Sequence, residues 1–356
     1  MQPTRRRSDA LTSAVLLLTA ALAASCASRN HFVRDPDVFG STGPTAPVRT
    51  AGEVFAYDRA LIQAQEEQLE EKGNYRLVRV SFPSIGNGGP VEVDYHRSTL
   101  PGRHPVVIVL PIWGRYVYPS NAVTRTLRKR SEGTIHVLNV LDDGFLTDWP
   151  ALETAPDEKA FTAIFAAGAE TERNTVIDIR RLVDWTESRP EIDRKAIGLV
   201  GFSHSAIIAP TVAAAEPRIA ASVLIMGGAL PHRIVAHCAG PRMTAVQQRA
   251  TSAFGWDRDR LEGVLEPLYA AIDPANYPGE IDPESVLIFE AGNDTCIDEV
   301  ARTALWEAAG RPQRWVINTS HKRAFLTMTP LNLNWMRRRI WEFFEDRLIE
   351  PQSEGQ

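Results

Sequence analysis

The chain reads as an α/β protein, a mostly parallel sheet with helices on both faces. Three observations predict it. Short, continuous apolar runs recur at 106–110, 134–141, 196–200, 220–226 and 285–290, the pattern of strands buried on both faces. Stretches of helical period separate them. The residues with chemical potential fall just after these runs, where open α/β sheets place their ligands.

The elements follow in order. Residues 52–72 form an apolar stripe (Val54, Tyr57, Leu61, Ile62, Leu69) against an acidic face and predict an amphipathic helix stopped by Gly73-Asn74. Residues 75–82 and 91–95 alternate, and the loop 86–90 between them makes an antiparallel pair for the sheet edge. Helices are predicted at 121–130, 158–169 and 171–188, the last ended by Arg189-Pro190. After the strand at 220–226, residues 229–283 show no strand pattern and hold one readable helix, 258–272; this insertion is expected to cap the sheet edge. A helix at 298–309, a short strand at 315–318 and a final helix at 331–349 complete the domain. Its expected extent is 52–350, with a polar tail at 351–356. No internal repeat is visible.

A length of 356 residues suits one large or two modest domains, and 44% hydrophobic with 23% charged residues is ordinary for a globular protein. The net charge of −5 and the absence of a basic run in the body set nucleic acid aside as a partner. Residues 1–25 are read as a targeting segment. Arg5-Arg6-Arg7 precedes an apolar stretch too short to span a membrane comfortably, and small residues lead to Cys26. Ala23-Ala24-Ser25-Cys26 resembles a bacterial lipobox. The resemblance implies cleavage before Cys26, its lipidation, and anchorage in the cell envelope; an ordinary secretory signal cut near Ala24 or Ala27 is the other reading. Residues 26–51 have the Pro/Gly/Ser composition of a tether. Cys238 and Cys296 fit a disulfide in an exported protein or two buried thiols, and their spacing does not choose.

The chemistry sits in three loops. Gly201-Phe-Ser-His-Ser205 follows the run at 196–200 and leads into a helix. A hydroxyl at a sharp strand-to-helix turn stands clear of the sheet beside helical N–H groups, and G-x-S-x-G is the sequence form of that turn. Ser205 replaces the last glycine. Asp294 follows the strand at 285–290, and His321 follows the strand at 315–318. A serine hydroxyl needs an adjacent base, and an imidazole base needs a carboxylate to fix its tautomer. Asp298 is a competing acid, although Asp there also suits a helix N-cap. The spacing of His232, His237 and Cys238 fits no standard metal site, and neither metal nor cofactor is expected.

From about residue 75 to 348 the chain resembles the α/β-hydrolase superfamily, in the manner of its dienelactone-hydrolase, acetyl-esterase and prolyl-oligopeptidase-type branches. The resemblance rests on Val183-Asp-Trp185, on Pro190-Glu-Ile-Asp-Arg-Lys-Ala-Ile-Gly198, on the serine turn and on the order Ser, Asp, His. It implies an α/β-hydrolase fold with Ser203 as nucleophile, Asp294 as acid and His321 as base. The chain departs from the pattern at Ser205, at Thr319-Ser320 before the histidine, and at Pro210 within the nucleophile helix. An oxyanion hole needs two N–H donors. His204 supplies one by position. Pro111-Ile-Trp-Gly114 aligns with the family's His-Gly-x-Gly and implies Trp113 as the other, with Ile112 as its neighbour. Ile112, Tyr116, Tyr118 and, in the cap, Trp256 and Tyr277 are candidate pocket walls. The expected activity is ester hydrolysis on a small-molecule acyl substrate. A peptidase or thioesterase on the same triad, and a non-catalytic binding lipoprotein, are the alternatives.

Overall fold

The computed structural model describes residues 30–33, 49–60, 62–86, 88–112, 114, 117–141 and 146–350. The expected signal segment, Cys26, most of the tether, Trp113, Tyr116 and the polar tail lie outside the described residues. Ten strands form one sheet among them: β1 Asn30–Val33, β2 Gln65–Lys72, β3 Tyr75–Pro83, β4 Pro90–Ser98, β5 His104–Val109, β6 His136–Val140, β7 Ile192–Phe202, β8 Ile219–Ile225, β9 Val286–Ala291 and β10 Gln313–Ile317. Their order is β1-β10-β9-β8-β7-β5-β6-β4-β3-β2. The six strands from β10 to β6 run parallel, while β4, β3, β2 and β1 pair antiparallel at the two sides.

Successive side chains of a strand point to opposite faces, so a strand covered on both sides is apolar throughout. In β5, Val106 and Ile108 join one core while Val107 and Val109 join the other. The first core lies under helices Glu158–Glu187 and Ser205–Ala215 and the capping insertion. The second lies under helices Tyr118–Ser131 and Trp335–Phe344.

Several elements differ from the sequence reading. The helix expected over 52–72 is a single turn, Ala51–Val54, followed by the edge strand β2. The Gln/Glu/Lys-rich composition of Gln65–Lys72 is helix-forming, yet Gly73-Asn74 folds it into a hairpin with β3, from Lys72 opposite Tyr75 to Gln65 opposite Ser81. Tertiary pairing overrides local propensity, and the exposed acidic side chains discourage a further strand from adding there. The two helices expected over 158–188 are one helix of 30 residues, because no Gly-Pro break separates them. The insertion holds three helices, Pro231–His237, Pro241–Phe254 and Arg258–Tyr269; the first two, each with proline at its first position, were not expected. The last helix starts at Trp335 rather than 331, since Leu333 and Asn334 both adopt left-handed backbone that a helix cannot include.

Candidate active site

Four loops at the carboxyl ends of parallel strands converge. After β7 the backbone turns sharply at Ser203, whose φ of 51° is left-handed for a non-glycine residue. The turn is held from both sides. The Ser203 N–H donates to the Ile225 carbonyl at 2.8 Å, extending the β7–β8 ladder. Gly201 allows the helix to fold back onto the strand: a Cβ there would stand 2.6 Å from the Ser205 carbonyl oxygen. Ser205, the departure from the glycine motif, is fully buried. Its Oγ accepts the Phe202 N–H at 2.7 Å and donates to the Phe202 carbonyl at 3.2 Å. The extra atoms of Ser205 thus staple the turn rather than crowd it. Helix Ser205–Ala215 continues through Pro210.

Ser203 Oγ lies 2.9 Å from His321 Nε2, and His321 Nδ1 lies 2.5 Å from Asp294 Oδ2. Asp294 follows β9 and is almost fully enclosed. Its other oxygen accepts the N–H groups of Cys296 at 2.9 Å and Ile297 at 3.1 Å, which fixes the carboxylate. His321 opens a helical turn after β10 and is about one-fifth exposed at its side chain. The structure therefore brings Ser203, His321 and Asp294 into one hydrogen-bonded chain. Asp298 is elsewhere: it caps helix Glu299–Ala308 through the Ala301 N–H at 3.0 Å and pairs with Arg233 at 2.8 Å. Burial opposes its ionisation, but Arg233 and the Ala301 N–H outweigh this and hold its carboxyl below the usual range.

Beside Ser203 lies a cavity of about 680 Å³ with largely apolar walls, including Ile112, Trp149, Ile207, Ile234 and Phe325, roofed by Val235 and Met243 of the insertion. Ile112 takes its expected place. Trp256 does not: it packs against Phe161 and Phe254, with ring centres 5.8 and 5.5 Å away, and is absent from the cavity wall. Tyr277 likewise packs elsewhere, meeting Phe55 edge to face. Both serve the packing of the cap. Trp113 and Tyr116 lie outside the described residues. The His204 backbone stands at the start of helix Ser205–Ala215, and its ring, also at the cavity wall, meets the Glu172 carboxylate at 3.0 Å. Glu172 was not anticipated. Its signal was present: it falls in the stripe Phe161, Phe165, Gly168, Glu172, Val176 and Ile179, a charged residue at a core position of a helix.

Cys238 and Cys296 form a disulfide that joins the end of cap helix Pro231–His237 to the loop of Asp294. The Ala239 N–H donates to the Thr295 carbonyl beside it at 2.9 Å. Among the described residues there is no cluster of metal-binding side chains, and no helix is long and apolar enough to cross a membrane.

Residues 181–301 match the family described as BAAT / acyl-CoA thioester hydrolase, C-terminal, a stretch that includes Ser203 and Asp294 and ends before His321. No curated protein matches the chain. Among solved structures, acetyl xylan esterase from Paenibacillus sp. R4 is similar with a TM-score of 0.58 at 15% identity, over 84% of this chain and 92% of that one. Acetyl xylan esterase 1 from Thermoanaerobacterium sp. JW/SL YS485 gives 0.53 at 17% identity, over 82% and 94%. Pyrococcus horikoshii acylaminoacyl peptidase gives 0.51 at 13% identity, over 77% of this chain and 42% of that one. With its parallel sheet, the turn after β7 and these structural likenesses, the chain has the α/β-hydrolase fold.

Proposed function

We propose that the protein is a serine hydrolase that cleaves carboxylic esters. The hydrogen-bonded chain Ser203–His321–Asp294 carries this reading. Ser203 Oγ attacks the acyl carbon while its proton passes to His321 Nε2. Asp294 holds His321 in the tautomer that leaves Nε2 free to accept, and stabilises the imidazolium that forms. The oxyanion of the tetrahedral intermediate is taken by backbone N–H groups, that of His204 and that of Trp113 in the loop after β5. His321 returns the proton to the departing alcohol, and water then attacks the acyl-enzyme by the same route. The cavity is far larger than an acetyl group needs and mostly apolar, which supports acyl or alcohol groups of several carbons.

The match of residues 181–301 to an acyl-CoA thioester hydrolase family favours thioester cleavage as a second reading on the same triad. We also propose export, with Cys26 as the lipid attachment site. The Cys238–Cys296 bridge supports an oxidising compartment.

Purified protein, assayed on p-nitrophenyl esters of increasing chain length and on matched acyl-CoA thioesters, tests the activity. Turnover that peaks beyond acetate and vanishes in Ser203→Ala is expected. Thioester rates that exceed the ester rates move the assignment to the second reading, and no turnover of either class contradicts both.

A further inference from the structure

We propose that Glu172 and His204 form a polar subsite in the cavity wall that takes a hydrogen-bond-donating group of the substrate, a hydroxyl or an ammonium, other than the ester being cleaved. This deepens, and rests on, the reading of Ser203 as nucleophile.

Glu172 lies in the middle of helix Glu158–Glu187, and its side chain is only 4% exposed. It nevertheless lines the cavity that contains Ser203 and His321. Among the described residues its hydrogen-bond partner is the His204 ring, through one oxygen, at 3.0 Å. A carboxylate offers roughly four acceptor positions, so capacity is left over beside a space whose other walls are mainly apolar, with Arg242 and Lys322 as its cationic members. Burying such a group with incomplete pairing is costly, and a ligand donor offsets that cost. Tyr269 borders the same space; burial and the nearby charge of Glu172 push its hydroxyl well above the ordinary tyrosine range, so it stays a neutral phenol. His204 directly follows Ser203, so the subsite is tied to the reacting serine through a single residue.

A plain alkyl chain fills the apolar part of the cavity and leaves Glu172 unmatched. A chain ending in a hydroxyl or ammonium satisfies both. Sites built to hydrogen-bond a substrate group discriminate strongly against the analogue that lacks it. The substrate class is therefore an ester with an aliphatic segment that ends in a donor.

The test uses two matched series. One varies the acyl side: p-nitrophenyl esters of six- to eight-carbon acids, unsubstituted, ω-hydroxy and ω-ammonio. The other varies the alcohol side: acetates of the corresponding alcohols, diols and amino alcohols. In the wild type, one series is expected to favour a donor-bearing ester over its plain partner by roughly tenfold or more in kcat/KM, the size of one hydrogen bond to a charged group. In Glu172→Gln an ammonium preference falls towards unity, whereas a hydroxyl preference is partly retained, which separates charge from hydrogen bonding. A wild type that hydrolyses the plain esters but shows no donor preference in either series overturns the subsite, leaves Ser203 as nucleophile untouched, and reduces Glu172 to a prop for the His204 ring. Because the wild-type ratio decides by itself, a Glu172 variant that folds poorly does not spare the proposal. No hydrolysis of any ester, and no reaction of Ser203 with a fluorophosphonate, takes down the nucleophile and the subsite together.

Discussion

The turn after β7 and the insertion between β8 and β9 face each other across one cavity, and they are held in different ways. The turn is local. Gly201, Phe202, Ser203 and Ser205 fix one another within five residues, and the β7–β8 ladder fixes them to the sheet. The insertion is held by contacts between residues distant in sequence: aromatic packing of Phe161 on Trp256, the Arg233–Asp298 pair and the Cys238–Cys296 bridge. A reacting group must keep its geometry in every substrate complex, so short-range backbone restraints suit it. A pocket roof sets what fits, and a longer-range, more mutable set of contacts is sufficient for that. The two regions meet at the loop of Asp294, whose carboxylate is fixed by the N–H groups of Cys296 and Ile297, one residue of which is covalently bound to the cap.

Substitutions that separate the two regions sharpen this contrast. Asp294→Asn keeps the shape of the loop but favours the wrong histidine tautomer; kcat is expected to fall by roughly 10⁴-fold with unfolding unchanged to within about 1 kcal/mol, checked by steady-state kinetics beside chemical denaturation. Asp298→Asn, which touches the cap pair instead, leaves kcat within about tenfold on the same assay.

The paired change Cys238→Ser with Cys296→Ser opens a loop with a sequence separation of 58 residues, and a loss of about 2–4 kcal/mol of stability is expected, read from denaturant midpoints with and without reductant. Its kinetic effect falls on KM for long-chain esters more than on kcat for acetate, since the roof moves while the turn does not. An equal loss on both substrates breaks the distinction between the regions.

Ser205→Gly restores the commoner glycine and removes the staple, leaving the buried Phe202 N–H without its partner. The expected cost is about 1–3 kcal/mol, measured by thermal unfolding; a gain in stability contradicts the role assigned to the Ser205 hydroxyl.

One expected effect lies outside both regions. Burial pushes the His136 imidazole down to about 4; its Nδ1 accepts the Ser98 N–H at 2.9 Å, and its Nε2 meets the Glu191 carbonyl at 3.0 Å. Below the unfolded value near 6.5 the unfolded chain takes up a proton that the fold refuses. Stability is therefore full above pH 6.5 and declines as pH falls towards 4, by about 3 kcal/mol. The slope of unfolding free energy against pH checks this, and His136→Asn reduces it over that window; the remainder includes His96, which burial pushes down to about 3.

The parallel strands and the residues at their ends were legible in the sequence because they depend on local pattern: a strand buried on both faces shows as an unbroken apolar run, and Ser203 and Asp294 each follow one, while His321 follows the short, half-buried β10. β2 was not legible, since Gln65–Lys72 carries helix-forming residues and becomes a strand only through pairing with β3. The cap was half legible. Gly255 and the prolines at 231 and 241 mark helix ends, but no periodicity reveals what the roof covers. Ser205 looked like an imperfection because sequence reports its bulk and not its two hydrogen bonds. Glu172 was visible only as a charge in an apolar stripe, and its meaning depends on a cavity formed by segments far apart in the chain.

The central claim is that Ser203 is the nucleophile, and a fluorophosphonate tests it most directly. Peptide mapping of the labelled wild type is expected to find one adduct, on Ser203, that is lost in Ser203→Ala and slowed by roughly 10³-fold or more in His321→Ala. An unlabelled wild type, or an adduct on another residue, contradicts the account.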